Sequence, residues 1–425
     1  MDNSGQNNNE RIFITGGEKL YGKVNISGAK NAALPLMALS LIINEDFKLL
    51  NVPDLADTRL MVKLLNDLGI KSIWKNGHVN FNGIAQKNEA SYELVRQMRA
   101  SILILGPLLA SQGSAKVPLP GGCAIGSRPI DLHVMVMEAL GANIKFDSGF
   151  IVGSVPSEGL RGGKINFPKI SVGATESAIM TAVLAKGQTI ISNAAQEPEI
   201  VDIVTCLNKA GANIVGEGSN TIIINGVEEL KKLQHEVVAD RIEAGSFAIA
   251  ASITMGDIEI KNIIPKYLER FLKALENTGS KVEIYKNSIN ICASKRPLPY
   301  NIFTEEHPGF PTDLQAQYMT LMSIADGECE IRENIFENRF MHVPELIRMG
   351  ARISVKNQTA TVTGVNYLKA SKVMASDLRA SMCLILGGLA AFGTSEVDGI
   401  YHLDRGYENL EGKLSDLGAN IRRSR

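Results

Sequence analysis

Apolar positions along the chain follow a pattern that returns six times. A helix-period segment ends in glycine and runs into a short alternating strand at LLNDLGIKSI, MEALGANIKF, LNKAGANIVG, LENTGSKVEI, LIRMGARISV and LSDLGANIRR. The glycines are Gly69, Gly141, Gly211, Gly279, Gly350 and Gly418, at intervals of 72, 70, 68, 71 and 68 residues. A fixed period of this length is the mark of a repeated supersecondary unit. Glycine at these places is what a helix needs at its left-handed C-terminal stop.

Each unit also carries an earlier helix rich in small and apolar residues, starting near GAKNAALPLM, MRASILILGP, VGATESAIMT, IEAGSFAIAA, TDLQAQYMTL and DLRASMCLIL. A short strand such as FKLLNV, AKVPL, TIISN, IEIKN or CEIREN lies between the two helices. An alternating hairpin such as KVEIYKNSINICA or RISVKNQTATVTG follows the glycine. The unit therefore reads helix, strand, helix, strand, strand. The first helices are apolar on every face, so they are expected to be buried with the sheets outside. The sixth unit stops at Arg425 before its hairpin, and the unassigned strands RIFITGG and YGKVNISG near the start of the chain are the expected completion. The pattern predicts an α/β protein of two domains with pseudo-threefold symmetry in each, an inside-out α/β barrel. One domain covers 30–238 and the other 1–29 plus 239–425, and the natural ligand site is a cleft between them.

Composition narrows the function. The 425 residues are 45% hydrophobic and 21% charged, and 44 Lys plus Arg nearly balance 45 Asp plus Glu. No global field exists to draw nucleic acid or an acidic membrane, so any anionic ligand must meet a local cluster. The start, MDNSGQNNNE, has neither the basic nor the apolar region of a signal peptide and reads as a polar tail. The longest apolar-rich stretch, Ala32 to Ile43, is shorter than a membrane helix of about 20 residues. Five cysteines without regular spacing argue for reduced thiols, and scattered histidines without a CxxC or HExxH argue against a metal. A soluble, cytoplasmic protein is expected.

Several blocks then carry a resemblance: SGAKNAALP (Ser27 to Pro35), PGGCAIGSRPIDLH (Pro120 to His133), KISVGAT (Lys169 to Thr175), FPTDLQAQ (Phe310 to Gln317), FENRFMHVPEL (Phe336 to Leu346), DLRAS (Asp377 to Ser381) and DRGYE (Asp404 to Glu408). With the sixfold unit they resemble the enolpyruvyl transferase family over about Arg11 to Ile421, in the branch whose acceptor is a UDP-linked N-acetyl sugar. The resemblance implies addition of the 3′-hydroxyl of UDP-N-acetylglucosamine to phosphoenolpyruvate and elimination of phosphate. That is the first committed step of peptidoglycan synthesis, with no cofactor, no metal and no partner beyond these two small molecules. Transfer to another acceptor such as shikimate 3-phosphate is the alternative within enzymes, and a non-catalytic nucleotide-sugar-binding paralogue the alternative outside them.

Among the cysteines, Cys206, Cys292, Cys329 and Cys383 sit inside helix and strand segments and read as small buried hydrophobes. Cys123 alone lies between Gly-Gly and Ala-Ile-Gly in a proline-bounded loop, with Arg128 nearby to favour its thiolate. A proton donor must hold its proton and a nucleophile must lose it, and the sequence leaves both open. The resemblance implies that Cys123 delivers the proton to C3 and can form an adduct.

Lys30 and Asn31 open the first small-residue helix, where amides and the dipole favour an anion. By resemblance they bind phosphoenolpyruvate, with Arg128, Arg379 and Arg405. Arg99 and Arg379 recur at equivalent helix starts. The resemblance assigns Arg99, Arg128, Pro129, Ile130, Asp131, Leu132, Lys169, Ile170, Ser171 and Val172 to the UDP-sugar, with backbone near Ile335. His133 reads as a supporting imidazole. Asp313 either caps its helix or, as the resemblance implies, contacts the sugar and accepts the hydroxyl proton. Asp404 and Glu408 are expected to orient arginines.

Overall fold

The computed structural model describes residues 10–120 and 130–424. They fall into two compact units, a contiguous one within 28–238 and a split one of 10–27 with 239–424, and each has its own apolar core.

In the split unit three helices, Arg241–Ile253, Gln315–Met322 and Leu378–Ala390, pack on one another. Every residue from Ile242 to Ile253 and from Arg379 to Leu389 is buried. Small residues make this approach possible: a Cβ on Gly245 would sit 2.4 Å from Leu314 Cδ1. In the contiguous unit the same role falls to Lys30–Ala38, to the 3-10 turn Arg99–Ile104 running into Leu105–Gln112, and to Val172–Ala182. The second helix of each repeat is amphipathic, as in Glu269–Asn277, which buries Phe271, Leu272, Ala274 and Leu275 and leaves its charges to solvent. Helices lie inside and sheets outside, an inside-out α/β arrangement repeated six times. All six repeat glycines have φ between 92° and 107°. A residue with a Cβ would be strained there, which is why the signal survives in every repeat.

The strand Arg11–Thr15 runs antiparallel between Thr394–Asp398 and Asn420–Ser424, with Ile12 opposite Val397 and Ile14 opposite Ile421. It occupies the place of the hairpin strand that the sixth repeat lacks. A slip of one residue would turn Ile12 and Ile14 away from the core, so burial fixes the register. Tyr21–Asn25, expected to complete the same sixth repeat, does not: it lies parallel to Asp257–Lys261 in the sheet of the fourth repeat.

One element was not foreseen: most sheets carry an additional parallel strand from just before a central helix. Examples are Lys164–Asn166 beside Gln188–Ser192 and Lys372–Met374 beside Thr394–Asp398. At two places this strand joins a sheet of one unit while the next helix belongs to the other. Tyr21–Asn25 precedes Lys30–Ala38, and Leu233–Glu236, parallel to Phe47–Leu50, precedes Arg241–Ile253. The chain changes unit at Gly28 and again at Ala239. Gly28 is held against the loop before the second helix, where an added Cβ would lie 1.9 Å from the Asn51 carbonyl oxygen. Among the described residues no helix is long and apolar enough to cross a membrane.

Candidate active site

In the split unit the geometry centres on Asp313. Phe310 and Pro311 lead into the 3-10 turn Thr312–Leu314, which opens the helix Gln315–Met322. Neither Thr312 nor Asp313 caps that helix. The Thr312 hydroxyl donates to Glu333 Oε2 at 2.9 Å. The Asp313 carboxylate accepts from Arg339 Nη2 on Oδ1 at 2.6 Å and from Arg379 Nη2 on Oδ2 at 2.5 Å. Both guanidinium groups are buried, with side chains 5% and 8% exposed, while Asp313 is 25% exposed.

Arg379 is aimed by its helix. Asp377 caps Leu378–Ala390 by accepting from the Arg379 and Ala380 amides at 2.8 and 3.0 Å. Burial disfavours the Arg379 charge, but Asp313, Tyr407 and Asp240 outweigh it and the net shift of its pKa is upward. The Tyr407 ring centroid lies 6.0 Å from the guanidinium carbon, and the Tyr407 hydroxyl meets Ser246 Oγ at 2.9 Å. Gln317 Nε2 donates to the Asp313 carbonyl at 2.9 Å and to the Tyr407 hydroxyl at 3.2 Å. Arg339 lies 5.3 Å above the Phe336 ring. Arg405 ends the turn Ile400–Arg405, where burial first and the Arg405 charge second lower the pKa of His402.

In the contiguous unit Lys30 is the first residue of its helix, and its Nζ lies 3.5 Å from Asp57 Oδ2 in the first turn of Ala56–Asp67. Asn31 beside it is exposed. Arg99 opens the second repeat's helix. Burial, followed by the Arg99 charge and opposed by Asp131, lowers His133 to about 4, so its imidazole is neutral. His133 Nδ1 lies 2.8 Å from Ser177 Oγ, which ties Asp131–Ala139 to Val172–Ala182. Both helix starts carry predicted residues. Ile130 precedes the first, Asp131 is exposed and Leu132 buried. Lys169 is exposed, and Ile170, Ser171 and Val172 are half-buried, with Ser171 Oγ accepting from the Ala174 amide at 3.3 Å. Cys123, Arg128 and Pro129 lie outside the described residues.

Comparison with known proteins decides the family. The profile described as EPSP synthase (3-phosphoshikimate 1-carboxyvinyltransferase) matches residues 14–414. A UDP-N-acetylglucosamine 1-carboxyvinyltransferase of Zymomonas mobilis is 49% identical over 422 residues, covering 97% of this chain and 99% of its own. Relatives of the same name from Geobacter metallireducens and Myxococcus xanthus are 49% and 47% identical, over 97% and 98% of this chain and 99% and 100% of theirs.

The chain belongs to the enolpyruvyl transferase family.

Solved structures agree on the fold. The enolpyruvyl transferase NikO from Streptomyces tendae has a TM-score of 0.86 at 22% identity, covering 98% of this chain and 99% of that one. EPSP synthase from Acinetobacter baumannii has 0.76 at 16%, covering 98% and 100%.

In this transferase the structure tests several expectations. Asp404 orients an arginine as expected, Arg423 on the final strand, at 2.6 and 3.0 Å. Glu408 accepts from the Ser27 hydroxyl at 2.5 Å. Cys292 is half-buried at the end of the strand Ser288–Cys292, unlike buried Cys206, Cys329 and Cys383. Burial pushes all four thiols up, Cys329 to about 12, so none is an activated thiolate. Arg339, Tyr407, Asp57 and Glu333 were not singled out from sequence. Arg339 and Tyr407 lie inside the FENRFMHVPEL and DRGYE blocks, but nothing local says that one pairs with Asp313 and the other lines Arg379. Among the described residues no group of His, Cys, Asp and Glu is arranged to hold a metal.

Proposed function

We propose that this chain transfers the enolpyruvyl group of phosphoenolpyruvate to the 3′-hydroxyl of UDP-N-acetylglucosamine in the cytoplasm, releasing phosphate. The observation that carries the reading is identity near 49% across 97% of the chain with transferases of that name. The structural neighbours at 22% identity and below support the fold and leave the acceptor open.

The reaction forms a bond between the sugar oxygen and C2 of phosphoenolpyruvate while C3 gains a proton. It then breaks the bond from C2 to the phosphate oxygen as C3 loses one. In our reading Cys123 supplies the proton to C3 and Asp313 accepts the hydroxyl proton. Lys30, Asn31, Arg128, Arg379 and Arg405 hold phosphoenolpyruvate. Arg99, the segment Arg128, Pro129, Ile130, Asp131 and Leu132, the segment Lys169, Ile170, Ser171 and Val172, and Ile335 hold the UDP-sugar together with Asp313.

The Asp313 geometry gives these roles a physical order. Both carboxylate oxygens are engaged by arginines, which fix the plane of the group and take up part of its acceptor capacity. An incoming phosphate or carboxylate competes with Asp313 for the Arg379 guanidinium. Its arrival weakens that contact, which frees a further lone pair on Asp313 Oδ2 and makes the carboxylate more basic toward the sugar hydroxyl. The Ile335 amide already donates to Glu333 at 2.9 Å, so its carbonyl is the backbone group left to face a ligand.

Release of inorganic phosphate on mixing the two substrates tests the reading. Phosphate is expected with UDP-N-acetylglucosamine as acceptor and none with shikimate 3-phosphate. The reverse pattern, or no release with either, would overturn it.

A further inference from the structure

We propose that Glu333 is a positioning residue of the transfer, fixing Asp313 and the Ile335 backbone in one geometry through a single buried carboxylate. The inference rests on the roles given above to Asp313 and Ile335.

Glu333 is fully buried. A carboxylate at that depth is costly unless its lone pairs are used, and its partners use both oxygens. Oε2 accepts from the Thr312 hydroxyl at 2.9 Å. Oε1 accepts from the Thr304 hydroxyl at 2.9 Å and from the Ile335 and Phe336 amides at 2.9 and 3.1 Å. These donors are neutral. Where an ion pair would hold Glu333 by attraction at any angle, four directed hydrogen bonds hold it by shape.

Two routes lead from Glu333 to Asp313. Through Thr312 it grips the residue next to Asp313 at the entry to Gln315–Met322. Through Phe336 it holds the residue whose ring lies 5.3 Å under Arg339, and Arg339 donates to Asp313 at 2.6 Å. Thr304 adds a third tie: its hydroxyl accepts from the Asn334 amide at 2.9 Å, and its backbone bridges to Phe310 just ahead of Thr312. The same oxygen that holds Phe336 holds the Ile335 amide. Displacing Glu333 therefore moves the base and the ligand-facing backbone together.

Glu333→Ala would bury unsatisfied donors and is expected to fold poorly, so the decisive variants are Thr312→Val, nearly isosteric without the hydroxyl, and Thr312→Ser, which keeps it. Turnover is measured with whichever of UDP-N-acetylglucosamine and shikimate 3-phosphate the wild-type enzyme uses, beside melting temperature and an Asp313→Asn control. Thr312→Val is expected to lower kcat about tenfold or more, the loss of one hydrogen bond to a charged group, with KM for phosphoenolpyruvate little changed; the melting temperature also falls, because Glu333 Oε2 loses its donor, so kcat is read well below the melting transition of each variant. Thr312→Ser is expected to restore kcat. An unchanged kcat in Thr312→Val while Asp313→Asn is inactive overturns the Glu333 inference alone. So does a loss that serine fails to restore, or an equal loss in a variant destabilised as much at a residue remote from Glu333. An active Asp313→Asn overturns the base assignment and the Glu333 inference with it.

Discussion

Replacing Asp313 by alanine removes the shared partner of two buried arginines, and its cost can be worked from their geometry. Arg339 and Arg379 lie 2.6 and 2.5 Å from the carboxylate, with side chains 5% and 8% exposed. Stripping a buried charge of its counter-ion costs about 3–5 kcal/mol. Here the vacated position is a quarter exposed and admits water, so the low end, about 3 kcal/mol, applies. A unit of roughly 200 residues shifts by about 2–4 °C per kcal/mol, which predicts a fall of about 6–12 °C in the melting of the split unit. Each unit has its own core, so calorimetry that resolves separate transitions is the assay. The same reasoning predicts a rescue. Inorganic phosphate can occupy the freed guanidinium groups and should stabilise the variant by about 1.4 kcal/mol at ten times its Kd, more than it does the wild type. A variant melting within about 2 °C of wild type would refute the energetic role of the pairing. Equal stabilisation of both proteins by phosphate would refute the competition between Asp313 and an anion for Arg379.

Burial first, then Glu199 and Glu197, raise the Glu176 carboxyl to about 8. A folded pKa above the unfolded value means stabilisation that is complete below about pH 4.5 and lost as pH rises through about 8. Glu176→Gln should flatten the fall in melting temperature between about pH 4.5 and 8, and parallel curves for the two proteins would contradict this. Arg405→Ala should weaken phosphoenolpyruvate by about 1.5–3 kcal/mol and the UDP-sugar far less, read from calorimetric titrations; equal weakening counts against the assignment. The phosphonate epoxide fosfomycin should alkylate Cys123, and Cys123→Ser should abolish the adduct. Peptide mapping that finds label on Cys206, Cys292, Cys329 or Cys383 with Cys123 free would reverse the choice of thiol.

What the sequence determined by itself was the repeat. Six glycines at a fixed period announce six helix stops, because only glycine takes a φ near 100° without strain, and that requirement is local. The all-round apolar helices such as Arg241–Ile253 were equally legible, since a helix without a polar face has only the interior to occupy. Blocks such as SGAKNAALP and FPTDLQAQ marked the residues to watch. The tertiary structure alone decided the rest. The additional parallel strands bury too few positions to show a period of two: Tyr21–Asn25 buries only Val24 and Lys372–Met374 only Val373, and the latter's pairing with Thr394–Asp398 comes from across the sheet. Asp313 could be picked from P-T-D-L-Q, but its choice between cap and counter-ion depended on Arg339 and Arg379, which lie 26 and 66 positions away. Glu333 reads in sequence as an ordinary polar residue after the strand Glu328–Arg332. Its importance comes from burial and from donors on three segments, and a chain reveals such convergence only once it is folded.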